Sequence, residues 1–193
     1  RNLNPDEIYD QVFLMNQQSE HFFNRPLSNI VFMGMGEPLL NYNSVLAAIK
    51  KITEPDGLGI SSRRITLSTS GIPKMIKKMA DDTVKFRLAV SLHSARQNIR
   101  EKIMPFAKKF PLKELIDSLN HWYLKTRKKV TFEYVIWEGI NDQKIDINAL
   151  VKLCNLIPSK VNLIQYNPIE NSSMKQASEK ATMAYIGALN EAN

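Results

Sequence analysis

With 193 residues, 44% of them hydrophobic and 23% charged, the chain is long enough for one sizeable domain, 1–193, expected to bury about 70% of its unfolded surface. No apolar stretch approaches the roughly 20 residues of a membrane span, and Arg1-Asn2-Leu3-Asn4-Pro5-Asp6 lacks the basic-then-apolar plan of a secretion signal, which predicts a soluble, cytoplasmic protein. The formal charge of +7 and pI near 9.4 favour a polyanionic partner, while the single cysteine excludes a disulfide or a thiolate metal site within the chain.

A first helix is signalled by Asn4 as N-cap, Pro5 at the first helical position and the acids Asp6 and Glu7, with Ile8, Val12 and Met15 on one face. Asn29 to Met33 is too short for a buried helix and rich in β-branched and aromatic residues, so it reads as an interior strand. It runs into Met33-Gly34-Met35-Gly36-Glu37-Pro38. Glycines there let the backbone approach a ligand closely, and Glu37 sets a negative charge at the strand's C-terminal mouth, a natural complement to a cationic ligand group. Ordinary strand-to-helix punctuation takes the same form.

A helix from about Asn43 to Thr53 follows, then a strand Arg64 to Thr69 stopping at Ser70-Gly71, and a short helix through Met75, Ile76 and Met79. A third strand, Phe86 to Leu92, leads into His93-Ser94-Ala95, a helix near Gln97 to Ile103, and a longer helix Leu112 to Lys125 with Leu115, Ile116, Leu119 and Trp122 inward. The fourth strand, Lys129 to Ile136, enters the loop Glu138-Gly139-Ile140-Asn141-Asp142. The helix after it carries Ile147, Leu150, Val151 and Cys154 at apolar spacing, which predicts a buried thiol. A fifth strand, Lys160 to Tyr166, ends at Asn167-Pro168; a polar loop to Gln176 and a helix from Ser178 to about Glu191 complete the pattern.

Strands alternating with helices imply a parallel sheet, because a parallel return needs a crossover. The expected fold is α/β, a partial (β/α) barrel with parallel strands, and a doubly wound open sheet is the competing architecture. Polar residues decide for the barrel segment: Gly36 and Glu37, Ser68, Ser91 and His93, Glu138 and Asn141, and Asn167 all fall at or just beyond strand C-terminal ends, where sites of this fold are built. Two basic clusters, Arg63, Arg64, Lys74, Lys77 and Lys78, and Lys125, Arg127, Lys128 and Lys129, suit RNA phosphates, although solvated helix ends carry such clusters too.

The runs Phe32 to Asn41, Arg63 to Gly71, Ser91-Leu92-His93, Gly139-Ile140-Asn141-Asp142 and Asn162 to Pro168 together resemble the radical S-adenosylmethionine RNA methyltransferases that methylate adenine C2, and the related C8-methylating resistance enzymes. The resemblance covers nearly the whole chain. It implies that Gly36 and Glu37 meet the α-amino group of S-adenosylmethionine, and that Ser68, Ser91, Leu92, His93 and Asn167 line the rest of the cofactor pocket. Hydroxyl and amide side chains suit ribose and carboxylate hydrogen bonding. Each residue type also has an ordinary structural use: serine as a turn or helix cap, histidine on a local backbone group, asparagine before proline as a turn.

The same resemblance implies a [4Fe–4S] cluster held by three thiolates in a Cys-x3-Cys-x2-Cys loop, and a late cysteine that carries the methyl group. This chain has neither, so it looks like a central core without catalytic or metal-ligating residues of its own, missing the first barrel strand, cluster loop, methyl-carrying cysteine and N-terminal RNA-contacting domain. The intact enzyme is expected to methylate one cysteine with a first cofactor molecule, and to cleave a second reductively so that the cysteine-bound methyl adds to the adenine. Its expected partners are 23S rRNA, tRNA and an electron donor, with no membrane and a monomeric state. Rival readings are a barrel isomerase or aldolase holding a phosphate, which Glu37 would repel, a non-catalytic RNA-binding module, and a radical activating enzyme acting on a protein glycine.

Overall fold

Five strands form one sheet in the order β1-β2-β3-β4-β5: β1 (Ile30–Phe32), β2 (Ile65–Thr69), β3 (Arg87–Ser91), β4 (Val130–Ile136) and β5 (Ser159–Gln165). The structure, a computed structural model, describes residues 1–170 and 172–192. Pairing is parallel, with Ile30 opposite Ile65, Ala89 opposite Thr131, and β4 and β5 in register from Val130–Ser159 to Ile136–Gln165. The sheet is not closed into a barrel. Strand order follows chain order without the reversal that defines a doubly wound sheet, so the barrel-segment expectation holds over its competitor.

Helix α1 (Pro5–Phe23) precedes β1, α2 (Tyr42–Thr53), α3 (Pro73–Asp81), α4 (Gln97–Ile103), α5 (Leu112–Thr126) and α6 (Lys144–Leu156) fill the connections, and α7 (Glu179–Glu191) follows β5. Helices α2, α4, α5 and α7 lie within one residue of the bounds expected from sequence. The polar loop expected over 168–176 includes residue 171, which lies outside the described residues, and Trp137 bridges Gln176 antiparallel.

The chain divides into two compact units. The first comprises residues 1–69 and 85–88. Its α1 opens with a reciprocal cap: Asn4 Oδ1 accepts from the Glu7 N–H at 2.9 Å, and Glu7 Oε2 from the Asn4 N–H at 2.8 Å. Asn24 closes the helix in the left-handed conformation. Helix α1 packs on α2, whose Tyr42, Val45, Ala48, Ile49 and Ile52 are buried, and Lys51 pairs with Asp6 at 2.9 Å across the two. Of the stripe expected on α1 only Ile8 is buried; Val12 is half-buried and Met15 is exposed.

The second unit comprises residues 70–84 and 89–193. Its core joins Ile76, Met79 and Ala80 of α3, Leu115, Leu119 and Trp122 of α5, and Val130, Phe132, Tyr134 and Ile136 of β4. On α6 the inward residues are Asp146, Ile147, Leu150 and Leu153. Val151 and Cys154 are half-buried, contrary to the fully buried thiol expected, because Asp146 turns inward to pair with Arg96 at 3.0 Å and rotates the buried stripe away from Cys154.

Candidate functional site

At the mouth of β1, Gly34 and Gly36 take φ of 125° and 89°, and a side chain at either would meet nothing within 4 Å. Glycine is therefore required by the backbone path rather than by crowding, and the turn leaves both peptides open to approach. Glu37 begins a 3₁₀ turn, Pro38–Asn41, and its Oε1 accepts from the Leu39 N–H at 3.1 Å. That bond holds the carboxylate at the turn, where its charge suits an ammonium group. A cavity of about 280 Å³ lies against the turn, lined by Gly34, Gly36, Glu37, Ile8, Val12 and Leu3 among others. Ser68, the penultimate residue of β2, is buried in the same unit.

In the second unit Ser91 ends β3, and its carbonyl accepts from Arg100 Nη2 at 3.4 Å. Leu92 is fully buried and its N–H donates to the Glu133 carbonyl at 3.0 Å, so its side chain belongs to the core and its backbone to the sheet end. His93 follows at φ 55°, and its Nδ1 accepts from the Val135 N–H at 3.2 Å. Burial, with Arg100 nearby, pushes the imidazole pKa down to about 4, so it is neutral at neutral pH and its proton lies on Nε2. Asn167 is exposed just beyond β5. Its neighbour Tyr166 lies 5.9 Å from the Trp137 ring, which is 5.8 Å from the His93 ring, so an aromatic row connects the β5 end to the β3 end.

The structure thus places Gly36, Glu37 and Ser68 in the first unit, and Ser91, Leu92, His93 and Asn167 in the second. Three residues stand out that were not counted among the site residues. Asn141 is fully buried and cross-links the ends of β3 and β4 through its side chain. Arg100 is fully buried with Nε and Nη1 unpartnered, and Trp137 Nε1 is likewise buried without a partner. Asn141 was visible as a polar residue at a strand end; Arg100 gave no signal, since a lone arginine on a short helix reads as surface. The basic clusters are partly spent on structure: Lys78 pairs with Asp82 at 3.1 Å, Lys125 lies 3.9 Å from Asp81, and Lys128 Nζ donates to the Val84 carbonyl at 2.9 Å. Arg63, Arg64, Lys74, Lys77, Arg127 and Lys129 are exposed.

Among the described residues no group of three or more His, Cys, Asp or Glu could hold a metal ion, and burial raises the pKa of the Cys154 thiol, opposing the thiolate that an iron–sulfur cluster requires. The residues present do not fit a cluster. In the first unit the open glycine turn with its carboxylate suits an ammonium group, and in the second the neutral His93 imidazole and the buried, unpartnered Trp137 indole N–H are donors suited to ligand oxygens.

A parallel α/β sheet whose strand order follows chain order and which stays open belongs to the partial-barrel class. The family model described as the Radical SAM superfamily matches residues 2–150. The chain belongs to that superfamily. It is 63% identical over 189 residues to a protein of Flavobacterium johnsoniae named "Probable dual-specificity RNA methyltransferase RlmN", covering 98% of this chain and 54% of that protein. A protein of the same name from Flavobacterium psychrophilum is 63% identical over 193 residues, covering 100% of this chain and 55% of that protein. The crystal structure of a radical SAM methyltransferase from Sphaerobacter thermophilus superposes with a TM-score of 0.95 at 33% identity, covering 100% of this chain and 56% of that one. The chain spans about half the length of the curated relatives it matches.

Proposed function

We propose that this chain is the S-adenosylmethionine-binding core of an RNA methyltransferase that methylates C2 of an adenine in 23S rRNA and in tRNA. The likeness to RNA methyltransferases over nearly all of the chain supports the reaction class. The observation that carries the ligand is Glu37, held by the Leu39 N–H at the mouth of an open glycine turn. Gly36 and Glu37 would hold the amino end of the cofactor. Ser68, Ser91, Leu92, His93 and Asn167 would serve its carboxylate and nucleoside, Leu92 through its backbone. When bound, S-adenosylmethionine supplies an activated methyl group and, with an iron–sulfur cluster and an electron donor, radical chemistry; the thiolates for that cluster are not among the residues described. The chain's own residues bind, orient and exclude water. The exposed Arg63, Arg64, Lys74 and Lys77 would contact RNA phosphates.

Isothermal titration of this chain with S-adenosylmethionine tests the reading. Wild type is expected to bind, Glu37→Gln to bind roughly tenfold more weakly through loss of one charge-assisted contact, and both to bind RNA equally with the same salt dependence. Equal cofactor affinity of the two proteins would refute the assignment of Glu37.

A further inference from the structure

His93 stands in the left-handed region at φ 55°, which a side chain bearing a Cβ adopts only when its surroundings hold it there. The parallel ladder between β3 and β4 ends at this residue. Both the Leu92 and His93 N–H groups turn to the Glu133 carbonyl, at 3.0 and 3.3 Å, and the next β4 donor, the Val135 N–H, is taken by the imidazole Nδ1 at 3.2 Å. A side chain thus substitutes for a strand as acceptor.

The Asn141 side chain completes the seal. Its Nδ2 donates to the His93 carbonyl at 2.7 Å and to the Val135 carbonyl at 2.9 Å, while its Oδ1 accepts from the Trp137 N–H at 2.8 Å. With 0% exposure, every amide atom is spent on the backbone on either side of the His93–Val135 bond. The loop carrying Asn141 is itself anchored, since Tyr185 Oη donates to the Asn141 carbonyl at 2.6 Å and accepts from Tyr134 Oη at 3.2 Å. Trp137, whose N–H Asn141 fixes, packs edge-on against the imidazole with ring centres 5.8 Å apart.

We propose that Asn141 is a positioning residue for His93: by bracing the carbonyls of His93 and Val135 and the N–H of Trp137, it holds the imidazole with Nδ1 as acceptor and Nε2–H as a fixed donor toward a ligand oxygen. Nδ1 cannot carry the proton while it accepts from Val135, so the neutral ring must carry it on Nε2. Among the described residues Nε2 has no hydrogen-bond partner, which leaves it for a ligand acceptor such as a ribose hydroxyl or a carboxylate. The ligand's identity rests on the proposed S-adenosylmethionine reading; the tautomer does not.

Nitrogen-15 NMR of the imidazole at neutral pH reads the tautomer without any ligand. Wild-type His93 is expected as the Nε2–H form, and Asn141→Ala is expected to give a mixture of tautomers and roughly tenfold weaker S-adenosylmethionine binding, the scale of one misplaced hydrogen bond. Tyr185→Phe removes a bond to the Asn141 backbone and leaves the amide bracket intact, so it is expected to lower the melting temperature while keeping both tautomer and affinity. A wild-type Nδ1–H form would overturn the proposal even if Asn141→Ala did not fold, and so would the same tautomer mixture in both variants. A wild-type chain with the fixed tautomer that binds no S-adenosylmethionine would instead refute the ligand and leave the positioning role standing.

Discussion

Arg100 donates from Nη2 to the Ser70 carbonyl at 2.7 Å, so a guanidinium with 0% exposure closes the backbone immediately after β2. The same nitrogen reaches the Ser91 carbonyl at 3.4 Å, while Nε and Nη1 are buried without partners. Burial pushes its pKa down to about 10, which still leaves it charged at neutral pH. Either substitution removes the bridge together with the two orphaned donors, but alanine also opens a cavity that a methionine of similar length largely fills. Arg100→Ala is therefore expected to cost about 3 kcal/mol and Arg100→Met about half of that, read from urea denaturation midpoints. A methionine variant no more stable than the alanine one would mean that the charge itself holds the two carbonyls.

Gly71 and Gly36 both have positive φ, 96° and 89°, but differ in what surrounds them. A Cβ on Gly71 would lie 3.1 Å from Leu115 Cδ1 and 3.5 Å from Arg100 Nη2; one on Gly36 would meet nothing within 4 Å. Gly71→Ala adds overpacking to backbone strain and is expected to cost about 2–4 kcal/mol, whereas Gly36→Ala carries strain alone, about 1 kcal/mol. Thermal melts separate the two. If the turn at Gly36 cradles a cofactor, S-adenosylmethionine affinity follows the opposite order, falling for Gly36→Ala more than for Gly71→Ala.

The strands and helices were legible because each has a local cause: Asn4 and Glu7 cap α1, Pro73 opens α3, and β4 carries Val130, Phe132, Tyr134 and Ile136 on one side. The acidic glycine turn was legible for the same reason. Contacts distant in sequence were not. Nothing in Gln97 to Ile103 distinguishes Arg100 from a surface cation until α4 is seen packed beneath Ser70 and Ser91, and nothing in Asn141 specifies that its amide reaches back 48 residues to His93. The α6 stripe was misjudged because apolar spacing alone ignores Asp146, whose pairing with Arg96 draws it into the core.

Asp146 has a side-chain exposure of 1% and holds two partners: Arg96 Nη1 at 3.0 Å and the Gln143 N–H at 3.3 Å at the start of α6. Asp146→Ala removes the ion pair and the cap together, and Arg96, 30% exposed, can rehydrate. The expected loss is about 2–3 kcal/mol, with Asp146→Asn near half of it because an amide retains the cap oxygen. Chemical denaturation measures both. Because α6 follows the loop bearing Asn141, hydrogen exchange of the Trp137 and Asn141 amides is expected to quicken in the alanine variant.

Acid titration separates two groups by their pH windows. The His93 pKa falls from 6.5 to about 4, chiefly by burial and secondly by Arg100. The unfolded chain therefore binds a proton that the folded chain refuses, so this contribution is full above pH 6.5 and is lost as pH falls toward 4, on the order of 3 kcal/mol. Glu7 is lowered from 4.5 to about 2, first by its hydrogen bond to Arg1 and then by the Asn4 N–H, and its contribution disappears only between those values. Wild type is expected to lose stability in two stages as it is acidified. His93→Gln is expected to flatten the upper stage and leave the lower one, while Glu7→Gln does the reverse. An unchanged upper slope in His93→Gln would show that the imidazole titrates as an ordinary exposed histidine, and the Val135–Nδ1 bond would go with it.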